Sequence, residues 1–319
     1  MKLTTSACRL TALLLTLAAG TAAAQAWPAK AVRVLVPYAA GGPADIVARE
    51  VATRLTEQLG QAFVIENQGG AMGKVALTNV SRAARDGYTL LFAASGNVVI
   101  HPLIEKKTDI LTHIAPVSLI STSPHVLVVT GKLPIRTVKD LVDYARANPG
   151  KVNFGSAGTG GTAHLGMELF KSMAKVDVVH VPYKGTSQAT VDLVSGEIQA
   201  MFSSMPSLKP LIDKGNIRAV GMSAKSRMAT GIPLIGDTIP GFEYTTWYGM
   251  YTTAGTPRPV IDKLNAAIRK ATSDPALKKK LEVQGLDPEA STPEELAAYM
   301  RKESEKWGKV IEEAKITLE

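Results

Sequence analysis

Apolar and polar positions along the chain follow two periods, which predict short strands alternating with amphipathic helices. Runs of β-branched and other apolar residues predict buried strands at 32–36, 63–65 and 88–92. Val47, Val51 and Leu55 recur about once per helical turn and predict a helix after Pro43 with one buried face. A second helix is predicted at 75–84. Repeated strand–helix units of this kind predict an α/β fold with parallel sheets and helices on both faces.

The same alternation resumes after Thr130 and predicts a second set of strands and helices. Strands are predicted at 152–154, 178–181, 199–202 and 217–222. Helices are predicted at 137–147, 162–173, 187–195 and 208–214. Extended segments at 125–129 and 246–252 separate the two series. We therefore expect two α/β lobes joined by two crossing strands, with lobe 1 formed by 27–123 and 247–319 and lobe 2 by 124–246.

The C-terminal third is predicted to be helical, and three helix starts carry recognisable signals. Thr256-Pro257 and Asp274-Pro275 are each typical of an N-cap followed by a proline in the first turn. Thr292 and Glu295 flank Pro293-Glu294 in the pattern of a capping box.

The first 26 residues differ in composition from the rest and are predicted to be a secretory signal peptide. Lys2 and Arg9 supply positive charge, 10–19 form an apolar run, and cleavage sites follow Ala24 or Ala26. The apolar run is shorter than the roughly 20 residues that span a bilayer. The mature protein is therefore expected in the periplasm.

Cysteine content and charge exclude several classes of chemistry. Cys8, the single cysteine, lies in the predicted leader, so we expect a mature chain with no disulfide and no thiolate nucleophile or ligand. The five histidines show no zinc-binding spacing, and neither a metal site nor a cofactor is predicted. The net charge of +8 falls to +6 without Lys2 and Arg9, and the basic residues are scattered. This pattern favours small anions and excludes nucleic acid as an expected partner.

The segment 152–164 carries the strongest candidate chemistry. An apolar strand breaks into a glycine-rich turn and then opens a helix, so that unpaired backbone N–H groups can cradle an anion. Gly158 to Ala163 formally match the dinucleotide fingerprint, but Asp177 precedes the next predicted strand instead of ending it. A nucleophile elbow would need glycine where Phe154 stands. We find no catalytic constellation in the sequence.

Four loops rich in glycine and small residues are suited to holding a ligand; they lie at 38–45, 94–97, 155–162 and 181–186. A single loop of this kind can be explained as a tight turn between a strand and a helix. Four of them, two in each predicted lobe, predict a shared ligand cleft beyond the carboxyl ends of the strands.

Taken in order, these segments resemble the Bug family of extracytoplasmic solute receptors, the substrate-binding components associated with tripartite tricarboxylate transporters. The resemblance covers nearly the whole mature chain. The motifs that carry it lie at 27–28, 34–45, 66–73, 86–91, 154–164, 180–185, 247–249 and 254–257.

The resemblance implies a two-lobed periplasmic binding protein of type II, a Venus flytrap in which each lobe is a doubly wound sheet. It implies a small carboxylate held by main-chain amides and small side chains. On the first lobe the implied contacts are Tyr38, Ala40, Gly41, Gly42, Asp45, Ser95 and Asn97. On the second lobe they are Ser156, Ala157, Gly158, Thr159, His164, Tyr183, Lys184 and Ser203. Asp45 could instead serve the first turn of its helix, and Lys184 could point to solvent.

The function expected on this basis is capture of a carboxylate and delivery to a membrane permease, by a monomer and without catalysis. Two alternatives stay open, a ligand sensor that feeds a membrane signalling protein and a secreted α/β enzyme. The ligand is open among dicarboxylates, tricarboxylates, acidic amino acids and aromatic acids.

Overall fold

The computed structural model describes residues 27–106, 110–227, 229 and 231–317, and the predicted signal peptide lies outside the described residues. The strands are β1 (Val32–Val36), β2 (Phe63–Asn67), β3 (Thr89–Ala94), β4 (Ile114–Thr130), β5 (Val152–Ser156), β6 (Val178–Pro182), β7 (Ala200–Ser204), β8 (Ile217–Met222), β9 (Thr245–Thr253) and β10 (Asp287–Pro288). The helices are α1 (Pro43–Leu59), α2 (Lys74–Arg82), α3 (His101–Ile104), α4 (Val138–Ala147), α5 (Thr162–Ala174), α6 (Thr186–Ser195), α7 (Met205–Asp213), α8 (Arg258–Ser273), α9 (Pro275–Val283) and α10 (Pro293–Glu313). A π-helical turn, Gly96–Ile100, leads into α3.

The strands form two sheet regions that share one long strand. In the first region β1 lies between β2 and β3 and is parallel to both, and β9 pairs antiparallel with β3. In the second region β5 lies between β6 and β7 and is parallel to both. The repeated strand–helix units therefore produce parallel pairing, as the sequence predicts.

The long strand β4 and its partner β9 connect the two regions. β4 pairs antiparallel with β9 as far as Pro124, and from His125 onward it pairs antiparallel with β7 and β8. The predicted extended segments are thus the two crossing strands. Both run antiparallel to their neighbours, so each sheet region is mixed and not purely parallel as the βα pattern alone suggests.

Apolar packing explains why the helices lie where they do. The face of α1 that carries Val47, Val51 and Leu55 is buried against the first sheet region together with α8. The C-terminal helix α10 contacts both β4 and α5. Its Trp307 ring lies edge-on to Tyr244 with 5.9 Å between centroids. The end of the chain therefore packs beside both sheet regions.

Two of the three predicted helix starts are confirmed. Asp274 accepts a hydrogen bond from the Leu277 amide, and Thr292 forms a capping box with Glu295. The prediction that Thr256 caps α8 is wrong, because Pro257 occupies the N-cap position. The Thr256 hydroxyl instead donates to the Thr253 carbonyl at 2.8 Å and closes the turn after β9.

Within the described ranges, no helix has both the length and the apolar character needed to cross a lipid bilayer.

Candidate functional site

The loop after β1 is organised by the buried carboxylate of Asp45. Its Oδ2 accepts hydrogen bonds from the Gly41 amide at 2.9 Å and from Arg49 Nε at 2.8 Å, and its Oδ1 accepts from Asn67 Nδ2 at 2.8 Å. Burial would raise the pKa of Asp45, but the hydrogen bonds from Arg49, Gly41 and Asn67 outweigh it and lower the pKa to about 2. Asp45 is therefore a charged anchor that fixes the turn, with 2% of its surface exposed.

Three further first-lobe candidates, Tyr38, Asn97 and Ser95, are also bonded within the protein or buried. Tyr38 Oη donates to Asn97 Oδ1 at 2.5 Å, and Asn97 Nδ2 donates to the Met72 carbonyl at 2.9 Å. The hydroxyl of Ser95 is fully buried with no hydrogen-bond partner among the described residues. Ala40 and Gly41 are exposed at the tip of the loop.

The Ser156 hydroxyl forms hydrogen bonds within the glycine loop after β5. It lies 2.9 Å from the Gly158 carbonyl oxygen and accepts from the Gly158 amide at 3.2 Å. His180 Nε2 lies 2.7 Å from the same hydroxyl. Gly158 has φ +132°, a backbone conformation that residues with a Cβ rarely adopt. The turn therefore depends on glycine at this position.

Two stacked imidazole rings lie under this loop. His164 and His180 have ring centroids 3.7 Å apart with 12° between their planes, and Phe154 stacks on His180 at 4.8 Å. Burial, the neighbouring His180 and Lys171 lower the pKa of His164 to about 3. Burial and Lys171 lower the pKa of His180 to about 4. Both rings are therefore neutral near pH 7.

The two side chains predicted as contacts in the loop after β6 lie away from the cavity. Tyr183 Oη donates to Asp192 Oδ2 at 2.7 Å, which turns this phenol toward α6. Lys184 is exposed, and its amide donates to Gln188 Oε1 at 3.3 Å. Neither residue lines the cavity described next, although Thr186 from the same loop does.

A cavity of about 310 Å³ lies between the glycine loop and the crossing strands. It brings together five of the second-lobe candidates, Ser156, Ala157, Gly158, His164 and Ser203. Thr159 is exposed beside it. None of the seven first-lobe candidates named above is among the residues that line it.

Twelve lining residues lie outside the predicted set, and His125, Thr246, Tyr248 and Gln284 are among them. His125 Nε2 lies 3.1 Å from Thr246 Oγ1, and burial lowers the pKa of His125 to about 4. Tyr248 stacks on Phe92 at 5.5 Å and packs in the same apolar cluster as Tyr38. Tyr248 was detectable as part of the motif at 247–249, whereas Gln284 carries no sequence signal.

The N-terminus of α5 lines the cavity. The N-cap is Gly161, which has no side chain to accept from the first-turn amides. Gly161, Thr162 and Ala163 all line the cavity. No Lys, Arg, Asp or Glu is among its lining residues within the described chain. The arrangement can therefore bind an anion through neutral donors and the positive end of the helix dipole.

Metal chemistry finds no support in the described part of the chain, where no group of three or more His, Cys, Asp or Glu side chains is placed to hold an ion.

The two α/β sheet regions with their pair of crossing strands form the fold of the periplasmic binding protein BugD, with 30% identity, a TM-score of 0.72, and 91% of this chain and 99% of that chain covered. The chain belongs to the tripartite tricarboxylate transporter family of receptors, whose sequence model matches residues 47–316. It is thus a periplasmic solute receptor of that transporter family, and the resemblance to Bug proteins is confirmed.

Individual relatives agree with this assignment. The chain is 31% identical to BugT of Bordetella pertussis, with 91% of each protein covered. A Rhodopseudomonas palustris protein solved with adipate has 33% identity and a TM-score of 0.76, with 91% of this chain and 99% of that chain covered. MatC from the same organism, solved with bound malate, has 29% identity and a TM-score of 0.72, with 89% and 100% covered.

Proposed function

We propose that this receptor captures a small carboxylate in the cavity beside the crossing strands and delivers it to a membrane permease, without catalysing a reaction. In this proposal lobe 1 comprises 27–123 and 247–319, and lobe 2 comprises 124–246. The protein acts as a monomer in the periplasm after cleavage near Ala24 or Ala26.

The observation that carries the proposal is the uncapped N-terminus of α5 at the end of a cavity without charged lining residues. A carboxylate there would accept hydrogen bonds from first-turn amides and lie at the positive end of the helix. Neutral donors avoid the desolvation cost of a buried lysine or arginine partner. Each charge-assisted hydrogen bond contributes roughly 1.5–3 kcal/mol once water is excluded.

The first-lobe loop would complete the site when the lobes close. The predicted contacts Tyr38, Ala40, Gly42 and Asp45 lie outside the cavity, but Tyr248 lines it and packs in one apolar cluster with Tyr38. A hinge motion about β4 and β9 would bring the loop 38–45 toward the ligand. In that closed state Ala40 and the Gly41–Gly42 backbone contact the ligand, while Asp45 keeps the loop in shape.

The ligand class follows from the chemistry of the cavity and is supported by the adipate and malate seen with relatives. A cavity of about 310 Å³ suits a molecule of a few carbons. Hydroxyl and amide groups from Ser203, Thr246 and Gln284 are available for a second polar group of the ligand.

A thermal-shift screen of the mature protein tests the proposal. Adipate, malate, a tricarboxylate, glutamate and benzoate are compared with nucleotides and neutral sugars. A ligand at about 100 times its Kd should stabilise the folded state by about 2.7 kcal/mol. Stabilisation by at least one carboxylate is expected, and stabilisation only by nucleotides or neutral sugars contradicts the proposal.

A glycine pair shows whether binding depends on the loop. Gly158→Val should abolish binding of the best carboxylate while the protein stays folded. Gly215→Val is the matched control, because Gly215 also has a positive φ, +74°, has open space around it and lies outside the cavity. Unchanged affinity in Gly158→Val would show that the loop is only a turn.

A further inference from the structure

The stacked pair His164 and His180 is tied to the glycine loop at two points. His164 Nδ1 accepts a hydrogen bond from the Gly160 amide at 3.0 Å. His180 Nε2 lies 2.7 Å from Ser156 Oγ, which in turn holds the Gly158 amide. Two of the loop's amides are therefore directed inward and are not available to a ligand.

The contact with Gly160 fixes the proton position in the His164 ring. Because Nδ1 of His164 accepts from an N–H group, its proton must be on Nε2, which faces Glu168 Oε1 at 3.8 Å. The Ser156 hydroxyl, which has a single proton, lies 2.9 Å from the Gly158 carbonyl oxygen and 2.7 Å from His180 Nε2, so it forms a hydrogen bond with His180 for either tautomer of that ring. His164 thus supplies an acceptor for Gly160, and His180 supplies a hydrogen bond to Ser156, at a different part of the loop.

The pair connects a helix, a strand and the glycine loop. His164 is on the first turn of α5 with 5% of its surface exposed, and His180 is on the neighbouring strand β6. Phe154 of β5 covers His180 in the same stack. The loop is therefore attached to a strand and a helix through these two stacked side chains.

We propose that His164 and His180 are positioning residues for ligand binding. They hold the amides of Gly158 and Gly160 inward and so set the register of the loop. In this register the amides at the N-terminus of α5 point toward the ligand. This inference rests on the proposed function, and it goes further by assigning the acceptor atom Nδ1 of His164 a defined task. Neither ring needs to touch the ligand for this task.

Matched substitutions separate the hydrogen bond from the packing. His164→Phe keeps an aromatic ring in the stack but removes the acceptor, whereas His164→Asn places an amide oxygen near the position of Nδ1 and keeps it. Amide hydrogen exchange is measured without ligand on the mature protein and both variants. Exchange at Gly160 should be about tenfold faster in His164→Phe and near wild type in His164→Asn.

Affinity is then measured by calorimetry with adipate and malate as the probes. The probe that the wild type binds should bind His164→Phe about tenfold more weakly, and its Kd for His164→Asn should stay within about threefold of the wild-type value. Unchanged exchange at Gly160 in His164→Phe overturns the proposal. Faster exchange with unchanged affinity also overturns it, because the register of the loop would then not matter for binding.

Two further outcomes stay decisive. If the wild type binds neither probe, the test of the proposed function with these probes has failed independently, and the exchange difference between the Phe and Asn variants still decides whether the pair holds the loop. If His164→Phe does not fold, the pair His180→Gln and His180→Phe replaces it. Gln can restore a donor at Nε2, so exchange at Gly158 should be near wild type in His180→Gln and faster in His180→Phe.

Discussion

The buried carboxylate of Asp45 gives the most quantitative test of how the first-lobe loop is built. Asp45→Asn removes the ion pair with Arg49 and places an amide N–H group opposite either the Gly41 amide or Asn67 Nδ2, which are both donors. The pKa of Asp45 is lowered from 3.8 to about 2, which corresponds to roughly 2 kcal/mol of folding free energy at neutral pH.

Part of this value must be discounted, because the Arg49 side chain is 52% exposed and solvent screens the ion pair. The mispaired buried donor in Asp45→Asn offsets this discount, because it destabilises the variant by about 1–3 kcal/mol. We therefore expect Asp45→Asn to lower the free energy of unfolding by about 2 kcal/mol and the Tm by about 4 °C. Calorimetric and denaturant unfolding at pH 7 provide the measurement.

Asp213→Asn is the matched control, since Asp213 pairs with Lys209 at i,i+4 spacing but is 59% exposed. Its effect should stay within about 0.5 kcal/mol. The pH dependence is a second check. A lowered folded-state pKa contributes stability that is present above pH 3.8 and is lost as the pH falls toward 2, and this loss should be missing in Asp45→Asn. If Asp45→Asn changes the free energy of unfolding no more than Asp213→Asn does but causes a large loss of ligand affinity, the reasoning is refuted and Asp45 is a direct ligand contact.

Two further predictions concern close packing and acid stability. A Cβ on Gly166 would lie 2.3–2.5 Å from atoms of the Tyr244 side chain, so Gly166→Ala should lower the free energy of unfolding in urea by about 1–3 kcal/mol. Gly308 has open space around it, so Gly308→Ala should be neutral or stabilising by up to about 1 kcal/mol. Equal effects of the two substitutions would contradict this reasoning. His125 and His180 each have a pKa lowered to about 4 in the folded protein. Between pH 6.5 and 4 the unfolded chain therefore binds protons at these rings and the folded protein does not. The free energy of unfolding should fall over this range by up to about 1.4 kcal/mol per pH unit for each ring. A Tm that stays constant from pH 7 to 4.5 would be inconsistent with rings that are neutral in the folded protein.

The strands, the helices and the crossing segments were predictable because their apolar periodicity depends on local sequence. The direction in which a polar side chain bonds was not. Asn97 and Tyr183 follow strand ends in the predicted loops, yet Asn97 bonds to Tyr38 and Met72, and Tyr183 bonds to Asp192. Whether they contact a ligand in the closed state stays a prediction.

The crossing strands could be predicted as extended segments, but their pairing partners could not. His125 and Thr246 line the cavity because Pro124 pairs with Thr245 and the next residues face the glycine loop. Nothing in an extended segment indicates which partner strand it will have. The pairing of residues more than a hundred positions apart therefore has to come from the tertiary structure.

The central claim is that neutral backbone donors at the N-terminus of α5 hold the carboxylate. A crystal structure of the protein with the best carboxylate from the thermal screen tests it most directly. Carboxylate oxygens should lie about 2.7–3.2 Å from main-chain nitrogens within 161–164, with no lysine or arginine nitrogen in contact. A carboxylate paired with a basic side chain, or bound away from this loop, would contradict it.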